Sequence, residues 1–293
     1  MRSVPVVLSL AALAGPIGAQ TLHYEGSAGL ATGTYIFTQR TSSWNIMTGV
    51  ALGAGPVTLR ASFPLFYQNT TLLASAGPGY IPTGGSSSGA VADSSAQRAG
   101  RDGSRRLAVV APSFGAAAGE DDPVAVPTSA VTGYQWAVGD PFVGATVFGL
   151  RHGRVGVALT GTVKIPVVDT SSFGTGAWDI GGTVSGSLIV SSRVMLGVDA
   201  GYWHLGDPPG IALRDPVLLG STLSVLAGGG WGLSAGVSGA TPTIEGFSTT
   251  ASATVGVLRL AGAGSVGVLG SIGLTETAPD VTVSVTWRLG LVR

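Results

Sequence analysis

The sequence predicts an all-β chain, an antiparallel up-and-down transmembrane β-barrel of about 12 strands. Three observations carry this reading. The chain is strongly apolar, with a mean hydropathy of +0.45, 45% hydrophobic and only 10% charged residues among 293. Yet beyond the first twenty residues it holds no run of about 18 apolar residues, the length a membrane helix needs. Instead, apolar residues alternate with Gly, Ser and Thr over segments of 10 to 14 residues, the period of a strand with one apolar face. At about 3.3 Å per residue and ~40° tilt, 12 such residues span about 30 Å, the thickness of a bilayer core.

The first segment is a targeting signal. Met1-Arg2-Ser3 is a short basic start, Val4–Ala14 is largely apolar, and Gly15-Pro16-Ile17-Gly18-Ala19 supplies small residues before Gln20. Residues 1–19 are read as a secretory signal peptide and 20–293 as the barrel. Export without a single cysteine suits a Gram-negative envelope and rules out disulfide scaffolds and thiolate metal sites.

Along the mature chain, strands are expected near 23–38, 43–53, 56–69, 138–150, 154–167, 177–190, 193–205, 216–227, 230–240, 247–260, 264–275 and 280–291. The last is the clearest: Val281, Val283, Val285, Trp287 and Leu289 alternate with Thr282, Ser284, Thr286 and Arg288. Tight turns fall at Gly53–Pro56, Arg151–Arg154, Ser191–Arg193, Ala227–Gly230 and Ala261–Gly264, with longer connections between them. Short and long links therefore alternate, as in outer-membrane barrels, and an even strand count puts both ends on the periplasmic side. Residues 70–130, with a Gly/Ser run at 84–89 and Arg98, Arg101, Arg105 and Arg106, are read as one long, partly mobile outer loop. Leu107–Val110 is the stretch that could fold inward. Trp44, Tyr67, Tyr134, Trp136, Trp178, Tyr202, Trp203 and Trp287 fall mostly near strand ends, where aromatic belts form.

Several short motifs in order carry a family resemblance. Val138-Gly139-Asp140-Pro141, Val163-Lys164-Ile165-Pro166, Phe173-Gly174-Thr175-Gly176, Trp178-Asp179-Ile180-Gly181 and Gly201-Tyr202-Trp203-His204-Leu205-Gly206-Asp207-Pro208 resemble the outer-membrane β-barrels of the phenol-degradation meta-pathway transporter type. The likeness spans about residues 130–293. It implies an outer-membrane barrel that passes small aromatic or other apolar molecules. The chain departs from the family after Pro166, where Asp169-Thr170-Ser171-Ser172 replaces a Gly-Asp region. It also closes on Leu291-Val292-Arg293 rather than on the aromatic residue the barrel-assembly machinery reads, a role in which Trp287 could partly substitute.

Candidate pathway residues lie on the polar faces: Arg60, Lys164, Asp179, Asp199 and Arg288. Lys164, the single lysine, and Asp179 flank one outer loop and are read as pathway residues. Asp199 and Arg288 are read as pairing across the lumen, since charges in a narrow barrel need partners. No enzyme is expected. His204 lies near Asp207, but no Gly-x-Ser-x-Gly turn precedes a helix, and no ligand cluster or phosphate loop suggests a metal or cofactor. A net charge of zero without a basic patch argues against nucleic acid. The expected partners are outer-membrane lipid, a small-molecule solute and the assembly machinery. The expected function is passive uptake of small molecules, with a barrel that does not transport, or an exported soluble β-sandwich or lipocalin-like binder, as the alternatives.

Overall fold

A closed barrel is what the period-two pattern builds when every strand must hydrogen-bond on both edges. The computed structural model describes residues 21–35, 40–70, 73–77, 79–82, 108–110, 125–127, 132–168, 174–208, 212–262 and 264–292. The proposed signal peptide lies outside them, as do the Gly/Ser run, the arginine cluster and Leu107. The strands are β1 (Thr21–Gly33), β2 (Thr41–Ala54), β3 (Val57–Thr70), β4 (Leu73–Ala76), β5 (Gly79–Pro82), β6 (Ala108–Val110), β7 (Ala125–Pro127), β8 (Thr132–Val138) and β9 (Phe142–His152). They continue with β10 (Val155–Lys164), β11 (Asp179–Ile189), β12 (Val194–His204), β13 (Val217–Gly228), β14 (Trp231–Ala240), β15 (Thr250–Ala261), β16 (Gly264–Gly273) and β17 (Val281–Val292).

Twelve staves run round the barrel: β1, β2, β3, β9 and then β10 to β17 in order, all antiparallel. Closure is made by β1 against β17, from Leu22↔Val292 to Thr32↔Val281. β8 is the outer continuation of the β9 stave. β3 pairs with β9 from Val57↔Val147 to Ser62↔Phe142, and with β8 from Leu65↔Val138 outward. Between these stretches Phe63 and Pro64 oppose Gly139, Asp140 and Pro141, so one extra residue bulges the stave. The sequence reading began this strand at 138. Gly139-Asp140-Pro141 looks like a turn, but the Gly139 N–H still donates to the Pro64 carbonyl at 2.9 Å and keeps the chain in the wall.

Connections alternate as expected. Gly55-Pro56, Gly153-Arg154 and Gly229-Gly230 join staves tightly, and Gly55 and Gly153 take φ of +58° and +57°. Two-residue hairpins need that left-handed geometry, and glycine adopts it without a Cβ clash. Thr21, opposite Gly53, and Val292 both lie at this short-turn end.

The molecule is inside-out relative to a soluble protein. Lys164 and Asp179 are fully buried, while Val255 (64% exposed), Leu219 (61%) and Leu159 (57%) stand on the outer face. This single closed sheet with an apolar exterior is not a β-sandwich, whose apolar faces would meet in a core. Trp44, Trp136, Trp178 and Tyr202 ring the exterior near the long-loop end, with Tyr67 stacked on Trp136 and Tyr134. Trp203 departs from the expected belt. It follows Tyr202, so the strand period turns it inward, where it is buried.

A charge on the outer face must enter hydrocarbon. Val255→Arg is expected to lower stability by about 2–4 kcal/mol, whereas lumen-facing Thr222→Arg leaves folding nearly unchanged. Urea titration of the protein refolded in vesicles, followed by heat-modifiable gel migration, measures both.

Candidate functional site

The lumen is divided by an inserted hairpin. β4 and β5 pair from Leu73↔Pro82 to Ala76↔Gly79, and Leu73, Ser75, Ala76 and Gly77 are all buried. Among the described residues the inserted element is this hairpin, and Leu107 lies outside them. Short Gly- and Pro-flanked strands carry too little periodicity to be found in the sequence. At the root, the Gln68 side-chain amide reaches the Leu73 carbonyl at 3.5 Å. At the tip, the Gly77 N–H donates to Asp179 Oδ2 at 2.7 Å. Gly77 has φ +50° and lies against Trp203 and Leu205, so a side chain there would collide with Leu205 as well as strain the backbone.

Asp179 belongs to a sealed ionic cluster at the outer ends of β10 and β11. Lys164 and Asp179 are direct cross-strand partners. Lys164 Nζ lies 2.7 Å from Asp179 Oδ2 and 3.8 Å from Asp140 Oδ2, and donates to Thr175 Oγ1 at 2.6 Å. Asp140, in the bulge, accepts the Val167 and Val168 N–H groups on Oδ1 at 2.9 and 3.0 Å. Asp179 Oδ1 accepts the Gly206 N–H at 3.1 Å. One ammonium thus ties the β8–β9 bulge, the 165–178 connection, the start of the 205–216 connection and the hairpin tip together. Asp140, Lys164, Thr175, Asp179 and Gly206 come from five separate motifs of the family resemblance, and they converge at this point.

The other pathway candidates lie elsewhere in the lumen. Arg60 points inward from β3, with Nε 3.0 Å from Glu25 Oε1 on β1 and a 3.3 Å hydrogen bond from the guanidinium to Thr146 Oγ1. It lines a cavity of about 440 Å³ beneath the hairpin, together with Phe66, Phe142, Trp203, Met47, Thr160 and Thr162. Asp199 lines a second cavity of about 350 Å³ on the other side of the hairpin, with Leu205, Leu218, Ser238 and Ser252. Gly79 borders both. Asp199 lies across Gly220 of the next strand, where any Cβ would overlap its carboxylate. Among the described residues neither Asp199 nor Arg288 forms an ion pair. Arg288 is the cross-strand neighbour of Glu25, but Glu25 is taken by Arg60 and Arg288 Nε has no hydrogen-bond partner.

Sequence reasoning missed Glu25 and Asp140. Glu25 stands in a strand whose alternation is broken by glycines, and Asp140 stands in an apparent turn. The local signal for Asp140 was its place in a family motif. His204 faces outward and pairs with Asp215 at 3.1 Å, not with Asp207. The Tyr202 hydroxyl donates to Asp215 at 2.5 Å, and together with His204 it holds that carboxyl below the usual carboxylate range.

Lys164→Met leaves two carboxylates buried beside an apolar side chain. Removing one partner of such a cluster costs about 3–5 kcal/mol. The variant is expected to unfold at correspondingly lower urea, with the Leu73–Pro82 segment cut by protease faster than in the unaltered protein.

No protein-family model and no curated protein sequence matches the chain. Among solved structures, an outer-membrane channel from Pseudomonas putida F1 superposes with a TM-score of 0.59 at 12% identity, covering 95% of this chain and 97% of that one. The NanC porin gives 0.49 at 5% identity, covering 92% and 100%. The CymD monoaromatic hydrocarbon channel gives 0.44 at 10% identity, covering 94% and 89%. The fold is that of an outer-membrane β-barrel.

Proposed function

We propose that the chain is an outer-membrane channel for passive uptake of small molecules. The carrying observation is the pair of cavities, of about 440 and 350 Å³, that the described residues leave on the two sides of the inserted hairpin. Inward positions of β11 to β16 are mostly Gly, Ser and Thr (Thr183, Ser185, Gly220, Thr222, Ser234, Gly236, Thr254, Ser271), too small to fill a 12-stranded barrel. The larger cavity mixes aromatic rings with hydroxyls, which supports solutes that combine an apolar portion with a hydrogen-bonding group. The family resemblance supports the same class. Lys164 and Asp179 serve the pathway indirectly, by holding the hairpin that narrows it. The apolar exterior and the twelve-stave closure support residence in outer-membrane lipid, reached through the proposed signal peptide and the barrel-assembly machinery.

The latched hairpin also favours a second reading, a barrel whose lumen is shut. Planar-bilayer recording separates the two. The folded protein is expected to conduct, and deletion of Leu73–Pro82 to raise single-channel conductance severalfold. Silence from both proteins would support the structural barrel.

A further inference from the structure

Among the described residues, four lumen charges remain once the sealed cluster is set aside, and their positions are not random. Counted from the short-turn end, Arg60 is the fourth residue of β3, Glu25 the fifth of β1, Arg288 the fifth of β17 and Asp199 the sixth of β12. With about 2.5 Å of axial rise per residue in a tilted strand, all four lie within about 5 Å of one height. Round the barrel, β17, β1 and β3 form one wall, and β12, the seventh of the twelve staves counted from β1, stands diametrically opposite. A ring of twelve strands about 4.8 Å apart and tilted ~40° has a backbone diameter of about 24 Å, so the two walls stand on opposite sides of the lumen.

The signs differ between the walls. Arg60 and Arg288 outnumber Glu25, and Arg60 neutralises that one carboxylate at 3.0 Å, which leaves the β17–β1–β3 wall net positive. Asp199 makes the β12 wall negative. Its carboxylate is exposed to the lumen, carries no ion-pair partner among the described residues, and has Gly220 beside it where no side chain can cover it. Its neighbours along the ladder, Ser185 on β11 and Ser238 on β14 beyond Gly220, offer only hydroxyls.

We infer that this level of the lumen carries a transverse electric field that selects small zwitterionic or strongly dipolar solutes. The inference rests on the channel reading above. A cationic group is drawn to Asp199 while an anionic group faces Arg288 and the free donors of Arg60. A solute bearing both signs crosses aligned, whereas a simple anion or cation is attracted by one wall and repelled by the other. Low-dielectric walls concentrate such fields in a narrow lumen. Net selectivity between K⁺ and Cl⁻ is therefore weak although the lumen is charged.

The test combines reversal potentials in a KCl gradient with liposome-swelling rates for glycine betaine against erythritol, an uncharged solute of similar size. The unaltered protein should show a K⁺/Cl⁻ permeability ratio near one and favour betaine. Asp199→Asn should shift the ratio about two- to fivefold toward anions, and Arg288→Gln about as far toward cations. Both should reduce the betaine preference. Asp199→Ser, which copies its ladder neighbours, is the second variant should Asp199→Asn fold poorly by gel migration. Conducting variants with unchanged reversal potential and unchanged solute ratio would overturn the transverse field while leaving the channel intact. An unaltered protein that folds and does not conduct would overturn both.

Discussion

Everything in this structure depends on closing the backbone hydrogen-bond ladder. In hydrocarbon an unpaired N–H or C=O has no water to turn to and costs several kcal/mol, so a sheet can cross a bilayer only without edges. The β1–β17 seam meets that demand from Leu22 to Thr32. Once the sheet is closed, the strand period assigns every side chain to lipid or lumen. Leu219, Leu223 and Val225 go outward, and Gly220, Thr222 and Ser224 go inward. The same ladder explains how the bulge in the β8–β9 stave is tolerated. At Gly139-Asp140-Pro141 the wall gains one residue, yet the Gly139–Pro64 hydrogen bond and the Ile165 N–H to the Pro141 carbonyl hold the stave to both neighbours.

Closure also moves the polar chemistry indoors, where it does two different things. At the outer end, Lys164 is buried among Asp140, Thr175 and Asp179, and its role is architectural: it fixes the hairpin tip and two connections to the rim. Nearer the short-turn end, Arg60 and Asp199 each line a cavity and Glu25 and Arg288 face inward from the neighbouring staves, and the role proposed for these four is electrostatic. In the proposed channel the hairpin narrows the route and the charges nearer the short-turn end select what passes. Gly181 and Gly220 show how closely small residues are matched to these tasks, since Trp203 lies on the first and Asp199 on the second.

Strand periodicity made most of the barrel legible. The apolar and polar faces of β10, β12, β13 and β17 follow directly from alternation, because one face meets lipid along its whole length. The strand count and the alternation of short and long links follow with it. Three features were hidden, each for a physical reason. Gly139-Asp140-Pro141 has the composition of a turn, and only pairing with β3 shows it as a bulge. The Leu73–Pro82 hairpin is too short for periodicity to register, and its position is set by Asp179, about a hundred residues away. The relation among the charged residues depends on register and position round the barrel. Asp199 and Arg288 were read as pairing across the lumen, and among the described residues neither forms an ion pair, while Arg60 holds Glu25 from a strand whose glycines blur its pattern. The family motifs were legible as words, but their convergence on Lys164 was not.

The central claim is an inside-out barrel with lipid on one face and water in the lumen. Because the chain has no cysteine, single cysteines can be placed at will along β13. In protein refolded into vesicles, a membrane-impermeant thiol reagent should label Thr222→Cys and Ser224→Cys and spare Leu219→Cys and Leu223→Cys. Equal labelling of all four positions would contradict a lipid-embedded barrel, and failure to label Thr222→Cys and Ser224→Cys would contradict a water-filled lumen.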